Sequence, residues 1–587
     1  MTSSPAAFAP TDSARADDDR FDLIVIGAGG GGMAAALFGA IRGCRVLLLE
    51  ATEYVGGTTA FSGGTTWIPN THLAATVGAD DSVERARAYL TAVIGPYLNA
   101  PLLEAFLRNG PKAIERLERS SDVKFRAFAM HPDYESDVEG AVVRGRALEP
   151  LPFDGRLLGA AFSLIRPPIP EFTVLGGMMI DRQDIGHLMN MKRSWASFRY
   201  STALLVRHVR DRISNPRGTR LVMGNALVAR LLYSLRARDV AVWTNARVST
   251  IRRATTGFDV TVTRDGRPRT LRASRGVILA TGGFNRNEKL RRERLGDIAP
   301  YSPTAPGTTG GGIELAAELG GRMGDDGFEP VLWAPVSVRK RADGTMAVFP
   351  HFIMDRGKPG TMVVDQQGRR FMNETLSYHR FGHAMRVAHA NAPSIPAYLV
   401  ADHQALQKYG LGMIRPGTRD LSAFVADGYV VEGNTLAELA TKLGIAPDAL
   451  VQSAGEIERY SADGVDRAFG RGSTIYQRNI GDPAVTPNPT LGPLRHSPFY
   501  ALRLFPGDIG ASSGLVTDAN ANVVDAANRP IPGLYAVGND MHSVMGGTYP
   551  GPGITIGPAI TFAYVGVEHA LAASASGITN AEHVAAR

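Results

Sequence analysis

Apolar and polar positions change pattern most sharply near the start of the chain, in FDLIVIGAGGGGMAAALFGAIRGCRVLLLE, residues 21–50. Residues 23–26 form an unbroken apolar run, which predicts a buried strand. The glycines from Gly27 to Gly32 predict a tight turn and residues 33–41 a helix of small residues. Val46–Leu49 then reads as a second strand, ending in the acid Glu50. Residues 246–259 and 260–275 alternate apolar with polar positions, with turn signals at Thr255-Thr256-Gly257 and Asp265-Gly266, and predict two more strands. LAELATKLGIAPDALVQSAGEIERY has helical spacing, and an apolar run after GGTYPGPG predicts a helix that starts near Ile554.

One segment combines this patterning with charge. Residues 190–220 hold eight bases (Lys192, Arg193, Arg199, Arg207, Arg210, Arg212, Arg217, Arg220) and one acid, Asp211. That excess of seven equals the formal net charge of the whole 587-residue chain, +7. Trp195, Phe198, Tyr200, Leu204, Leu205 and Val209 interleave with the bases, several at three- or four-residue spacing. Two readings follow: a basic amphipathic helix on an anionic membrane surface, or a solvated helix with its apolar side on the protein core. No nucleic-acid-binding motif accompanies the charge, so nucleic acid is not an expected partner.

Composition narrows the class. With 44% apolar and 20% charged residues the chain is globular. Cys44 is the only cysteine, which excludes a disulfide framework and a cysteine-based metal site and points to a reducing, cytoplasmic setting. Residues 1–20 lack the pattern of a secretory signal and read as a disordered lead. No eighteen apolar residues run together, so a membrane-spanning helix is not expected.

The first sixty residues carry a nucleotide-binding pattern. Gly27 permits the turn, Gly29 lets backbone approach a pyrophosphate, and Gly32 lets helix and strand pack closely. The helix N-terminus faces the phosphates with its partial positive charge. Glu50 stands where a ribose hydroxyl would donate to it. Two flexible loops follow, Gly56-Gly57-Thr58-Thr59 and Ser62-Gly63-Gly64, and two distant pieces match them: Ala280-Thr281-Gly282-Gly283 and Gly538-Asn539-Asp540, each after a strand. This arrangement resembles the flavoproteins of the fumarate reductase and succinate dehydrogenase superfamily. The resemblance implies an α/β protein: a Rossmann-like FAD-binding domain assembled from both chain ends, with an inserted α+β catalytic cap domain. The expected boundaries are 21–326 and 494–572 for the FAD domain, with a basic insertion at 149–224, 327–493 for the cap and 573–587 for a tail. No histidine follows Gly56-Gly57, where covalently flavinylated relatives carry their attachment residue, so FAD is expected to be non-covalent. Ile554 is expected at the cofactor as well.

Two tempting motifs carry no chemistry. Gly510-Ala511-Ser512-Ser513-Gly514 fits a hydrolase nucleophile elbow, but LVTDANANVVD after it reads as strand and turn, not helix. His379 and His383 share a helical face but lack the zinc-peptidase glutamate, and are expected to be surface or packing residues. No metal site is expected. The superfamily's dicarboxylate reductases use arginines where this chain has Tyr378, five residues after Asn373, and Tyr549.

At FRAF and PDY (residues 125–134), NETLSYHRFGHAM (373–385) and TYPGPG (548–553) the sequence closely resembles the 3-ketosteroid Δ1-dehydrogenases. Position by position, the resemblance implies that Tyr134 assists Tyr378, the base, and that Tyr549 with the Gly553 N–H holds the substrate carbonyl. The chemistry needs such groups. Desaturation beside a ketone removes an α proton and a β hydride, so donors must meet the oxygen on which enolate charge develops. A tyrosine base, with its ordinary pKa near about 10, needs support for its ionised form. The implied reaction is FAD-dependent 1,2-desaturation of a 3-ketosteroid, with the hydride passing to flavin N5 and an external acceptor, a quinone or another carrier, taking the electrons. The alternatives are 4,5-desaturation of a saturated 3-ketosteroid and a membrane-surface flavin carrier without steroid turnover. The longer, basic 149–224 segment departs from compact family members; it is expected to widen the entrance or touch the inner face of a membrane.

Overall fold

The computed structural model describes residues 19–575. Two sheets organise it. The first has eight strands, and its main path runs Asn522–Val524, Pro530–Ala536, Arg267–Leu279, Arg20–Ile26, Val46–Leu49, Ala241–Trp243. Arg20–Ile26 pairs in parallel with Val46–Leu49 on one side and with Arg267–Leu279 on the other. Arg267–Leu279 pairs in turn with Pro530–Ala536, also in parallel. Strands Ala246–Arg253 and Phe258–Arg264 extend it as an antiparallel meander. Leu23, Ile24 and Val25 are fully buried, as are Leu47 and Leu48, which explains why both strands are unbroken apolar runs.

The helix Gly30–Ile41 returns across this sheet. Its small residues let it pack closely: a Cβ on Gly32 would stand 1.9 Å from the Gly27 carbonyl oxygen, and one on Gly39 2.9 Å from Val46. The helix Ile556–Ala575 lies against it. Residues 556–573 are long and apolar enough to cross a membrane, at a mean hydropathy of 1.2, although no such run was expected. They are mostly buried, packed on Gly30–Ile41 and Ala100–Ser120, as in a core helix.

The second sheet is antiparallel, in the order Met346–Pro350, Val331–Lys340, Phe499–Ala511, Ala397–Asp402, Thr361–Val364, with Val430–Gly433 also on Phe499–Ala511. The strand shared by most of these pairings is thus Phe499–Ala511. It lies beyond residue 493, where the sequence placed the end of the cap. Pairing with strands so distant in the chain leaves no local trace in the sequence. Apolar clusters cover the sheet on both sides, one around Phe381 and Leu406, the other around Leu439 and Ile457.

Smaller departures occur at the ends. Arg20 already begins a strand, and Asp19 accepts from the Arg272 N–H at 2.7 Å, so the lead is shorter than twenty residues; residues 1–18 lie outside the described part. The final helix continues to Ala575, past the expected start of the tail, and residues 576–587 lie outside as well. The apolar run after residue 553 becomes helical at Ile556.

Candidate active site

One continuous cavity runs from the N-terminus of the Gly30–Ile41 helix, along the edge of the first sheet, to the second sheet and residues 165–185. At its inner end the chain makes a cradle of backbone. Gly27 has φ +103°, and a Cβ there would stand 2.3 Å from the Ala280 carbonyl oxygen, so only glycine closes this turn. Gly29 and Gly31 line the cavity, and a Cβ on Gly29 would meet nothing within 4 Å. A backbone edge left open at a helix N-terminus suits a pyrophosphate. Gly57, Thr58, Thr59, Ser62, Gly63 and Gly64 line the same cavity, as do Ala280, Thr281, Gly282, Gly538 and Asn539.

The loops are cross-braced. Thr59 Oγ1 accepts from the Gly30 N–H at 3.1 Å, Thr58 Oγ1 from the Ala305 N–H at 3.1 Å, and Ser62 Oγ from the Gly64 N–H at 3.0 Å. Glu50 also lines the cavity, with its carboxylate engaged: Oε2 accepts from the Ala28 N–H at 3.0 Å and Oε1 from the Thr52 N–H at 2.9 Å. It fixes its own loop whatever else it contacts. Three expected cofactor residues lie off the cavity. Gly32 serves packing, a Cβ on Gly56 would stand 3.0 Å from Ala60 and Val228, and Ile554 lines a small neighbouring cavity. Thr555, Ile556 and Ala559 stand where Ile554 was expected.

Asp540 is a residue that sequence reasoning quoted but gave no role. Its buried carboxylate accepts from the Thr281 N–H (2.5 Å), the Thr281 hydroxyl (2.9 Å) and the Gly283 N–H (2.8 Å). It therefore ties the C-terminal nucleotide piece to the 280–283 loop. Burial pushes its carboxyl above the usual range despite these donors.

Beside the cradle the structure gathers four tyrosines. The hydroxyls of Tyr134 and Tyr378 are 3.2 Å apart. The Tyr549 ring stacks on Tyr134 at 5.6 Å and meets Tyr378 edge-on at 4.9 Å. Tyr134, Tyr378 and Tyr549 are each 6% exposed, and all three line the cavity. The fourth, Tyr476, packs on Tyr134 at 4.8 Å and was missed, because its five-residue helix Ile475–Asn479 carries no recognisable pattern.

Backbone contacts fix these positions. Tyr378 is the first residue of the helix Tyr378–His389, whose N-cap Ser377 accepts from the Arg380 N–H. The loop before it is held by Arg356, fully buried, which donates to the Glu374 and Leu376 carbonyls, each at 2.6 Å. The Tyr134 N–H donates to the Pro550 carbonyl at 2.9 Å, and the Tyr89 hydroxyl donates to the same oxygen at 2.6 Å. Gly553 has φ +97°, and a Cβ would stand 2.3 Å from the Thr65 carbonyl oxygen. Its carbonyl accepts from the Trp67 and Gly557 N–H groups, whereas its own N–H has no partner among the described residues.

Burial pushes the Tyr134 and Tyr378 hydroxyls well above the usual tyrosine range, helped by the neighbouring tyrosines, and raises Tyr549 to about 12. The hydrogen bond between Tyr134 and Tyr378 pulls Tyr134 back down without offsetting its burial and pushes Tyr378 further up, so both stay neutral at pH 7. Such a site offers polarised O–H and N–H donors in an apolar, enclosed space.

The motifs set aside from sequence sit elsewhere. Ser512 follows the strand Phe499–Ala511, donates to the Glu329 carbonyl, and is not followed by a helix. His379 Nδ1 accepts from the Trp333 N–H at 3.0 Å, and His383 pairs with Glu329 at 2.5 Å.

Comparison with known proteins identifies the family. Residues 22–556 match the profile of an FAD binding domain. A 3-oxosteroid 1-dehydrogenase of Mycolicibacterium smegmatis is 34% identical over 560 residues, 93% of this chain and 96% of that protein. The chain belongs to the FAD-binding family of the 3-oxosteroid 1-dehydrogenases. Another family member, 4-oxocyclohex-2-ene-1-carboxylate 5-dehydrogenase of Sinomonas cyclohexanicum, is 37% identical and covers 92% of each chain. A crystal structure of 3-ketosteroid delta1-dehydrogenase from Sterolibacterium denitrificans, in complex with 1,4-androstadiene-3,17-dione, superposes with a TM-score of 0.88 at 33% identity, covering 94% of this chain and all of that one. The protein is therefore an FAD-dependent oxidoreductase acting on CH–CH groups. The glycine cradle fits that cofactor.

Proposed function

We propose that the protein desaturates the 1,2 bond of a 3-ketosteroid in steroid degradation, using non-covalent FAD. The observation that carries this reading is the Tyr134, Tyr378, Tyr549 and Gly553 cluster, facing the same cavity as the glycine cradle. The substrate ketone accepts from the Tyr549 hydroxyl and the free Gly553 N–H, which stabilise the oxygen as enolate charge develops. The minor phenolate form of Tyr378, to which Tyr134 donates, takes the α proton and becomes a neutral phenol. When bound, FAD supplies the acceptor for the β hydride at N5. Loss of proton and hydride leaves the new carbon–carbon double bond, and the electron pair goes on to an external acceptor, a quinone or another carrier. The first sheet, built from both chain ends, is the FAD domain in this reading, and the second sheet belongs to the inserted cap.

Phe128, Ile169, Phe172, Ile180, Ile185 and Phe352 continue the cavity beyond the tyrosines, an apolar path suited to a fused ring system. A second reading, desaturation of a 4-oxocyclohexene carboxylate, is favoured by the 37% identical relative and by Arg182, which lines the cavity without an ion pair among the described residues. Anaerobic mixing separates the two. Flavin bleaching by androst-4-ene-3,17-dione, with a 1,2-desaturated product by mass spectrometry and NMR, is the expected result. Bleaching by 4-oxocyclohex-2-ene-1-carboxylate alone would replace the steroid reading, and a 4,5-desaturated product would replace the regiochemistry. An unchanged spectrum with every ketone would leave the flavin-carrier alternative.

A further inference from the structure

Residues 165–185 run along the cavity, and the first of them stand at its inner end. The Arg166 N–H donates to the Val55 carbonyl at 3.0 Å and the Val55 N–H to the Leu164 carbonyl at 2.8 Å, which lays this stretch against the first cradle loop. On its other side Asn225 Nδ2 donates to the Ala60 carbonyl at 2.8 Å and to the Arg166 carbonyl at 3.3 Å. Arg217 braces both, donating to Asn225 Oδ1 at 2.8 Å and to the Ile165 carbonyl at 3.3 Å. The cradle loops thus set where the Arg166 backbone lies. The outer part of the same basic segment is built differently: the helix Trp195–Ser214 turns Ser197, Ser201, Leu204, His208 and Asp211 inward and leaves Trp195, Val209 and Ile213 exposed.

The Arg166 side chain is 6% exposed and forms no ion pair among the described residues. Only its Nη2 is engaged, donating to the Thr52 hydroxyl oxygen at 2.7 Å and to the Tyr54 carbonyl at 3.4 Å. The Thr52 hydroxyl donates in turn to Glu50 Oε1 at 2.7 Å, so Glu50 reaches the guanidinium through Thr52 and fixes its place. The guanidinium carbon lies 5.6 Å from the centroid of the Tyr54 ring and 5.9 Å from that of Phe61. Nε is buried without a partner, and Nη1 has none among the described residues. Burial pulls the group below its ordinary pKa, although a guanidinium stays protonated at neutral pH. A cation held out of water with free donors is unfavourable by itself, and a bound anion removes that penalty.

The rest of the lining leaves this charge distinct. Arg182 and Arg247 also line the cavity, but both are exposed. Glu149 and Asp181 are paired, with Arg126 at 2.6 Å and Arg220 at 3.5 Å. At the cradle, the helix N-terminus offers a pyrophosphate backbone N–H groups and a partial charge only. We propose that Arg166 completes the FAD site as a cofactor-binding residue, its free Nε and Nη1 donors taking the adenosine-side phosphate. Its link to Glu50, the acid expected at the ribose, selects that phosphate over the flavin-side one. This clamp is independent of which ketone is desaturated and rests only on FAD as the cofactor. It also gives the 149–224 segment a hold on the cofactor, beside its place at the entrance.

Dilution of the FAD-loaded full chain, followed by the fluorescence of released flavin, measures the FAD dissociation constant. Arg166→Met should weaken binding by about tenfold to a hundredfold, as expected for loss of a charge-assisted hydrogen bond, and Arg166→Lys should recover most of it. Phosphorus NMR of the holoenzyme locates the contact. In Arg166→Lys the adenosine-side resonance should move and the flavin-side resonance should stay with the parent's, whereas a bond that only braces Thr52 would move neither. A dissociation constant of Arg166→Met within about threefold of the parent's overturns the proposal, as does a spectrum of Arg166→Lys in which neither resonance or only the flavin-side one moves. Should Arg166→Met fail to fold, or the flavin fail to dissociate, the Arg166→Lys spectrum decides alone. Neither readout needs turnover, so failure of the desaturase reading is seen separately.

Discussion

The hydroxyls of Tyr134 and Tyr378 stand 3.2 Å apart although 244 residues separate them in the chain. One arrives at the start of a helix clamped by Arg356, the other on a loop whose N–H is bound to Pro550. The two hydroxyls proposed as base and supporting donor are thus set by backbone contacts, not by the two side chains alone.

Tyr378→Phe should retain FAD and the thermal midpoint but lose turnover by about a thousandfold, within the range for loss of a general base. Stopped-flow reduction of the flavin by a 3-ketosteroid measures it. A variant within tenfold of the parent would remove Tyr378 from the proton-transfer step.

The pH dependence follows from burial. Tyr378 is held well above its ordinary range, so the phenolate is a minor form at neutral pH and its share rises about tenfold per pH unit. The logarithm of kcat/KM for flavin reduction should therefore climb with a slope near one through the alkaline range. Tyr134→Phe removes the donor to the phenolate and should lower the rate at every pH on that limb. A flat profile would show that another group takes the proton.

Gly553→Ala puts a Cβ 2.3 Å from the Thr65 carbonyl oxygen at φ +97°. The loop must shift, and with it the N–H aimed at the ketone. Loss of one such donor costs about a hundredfold to a thousandfold in rate, so kcat should fall by that order while FAD content stays near that of the parent. Calorimetry should also register destabilisation, of about 1–2 kcal/mol for the backbone conformation alone. Unchanged kcat would exclude the Gly553 N–H from the oxyanion site.

Asp540→Asn replaces one acceptor oxygen with an NH₂ group facing donors from Thr281 and Gly283. A donor left against a donor in a buried site costs about 1–3 kcal/mol. The 280–283 loop should loosen, and FAD should dissociate about tenfold or more readily, read from the flavin-to-protein ratio after dialysis. Full retention of flavin would limit Asp540 to a packing role.

Much of the first sheet was legible because its signals are local. The strand at 23–26, the Gly27 turn and Val46–Leu49 each need only neighbouring residues to be read. The sites of three tyrosines were legible through the motifs that carry them. What escaped was non-local. Phe499–Ala511 looks like any apolar strand until its partners are known. Tyr476 enters the cluster only through packing on Tyr134. The Trp195–Ser214 helix hid its orientation, because spacing alone does not say which face is turned inward.

The contact between the Tyr134 N–H and the Pro550 carbonyl also sets a timetable. The site closes only after nearly the whole chain has left the ribosome, because Tyr549, Gly553 and the strand Pro530–Ala536 all lie in the last tenth of the sequence. Until then the central strand of the first sheet has its early neighbour Val46–Leu49 but lacks the final layer beyond Arg267–Leu279. On the proposed roles of Tyr549 and Gly553, nascent chains are therefore catalytically silent, and an early stop in translation yields a product without a reaction centre however well its first half folds.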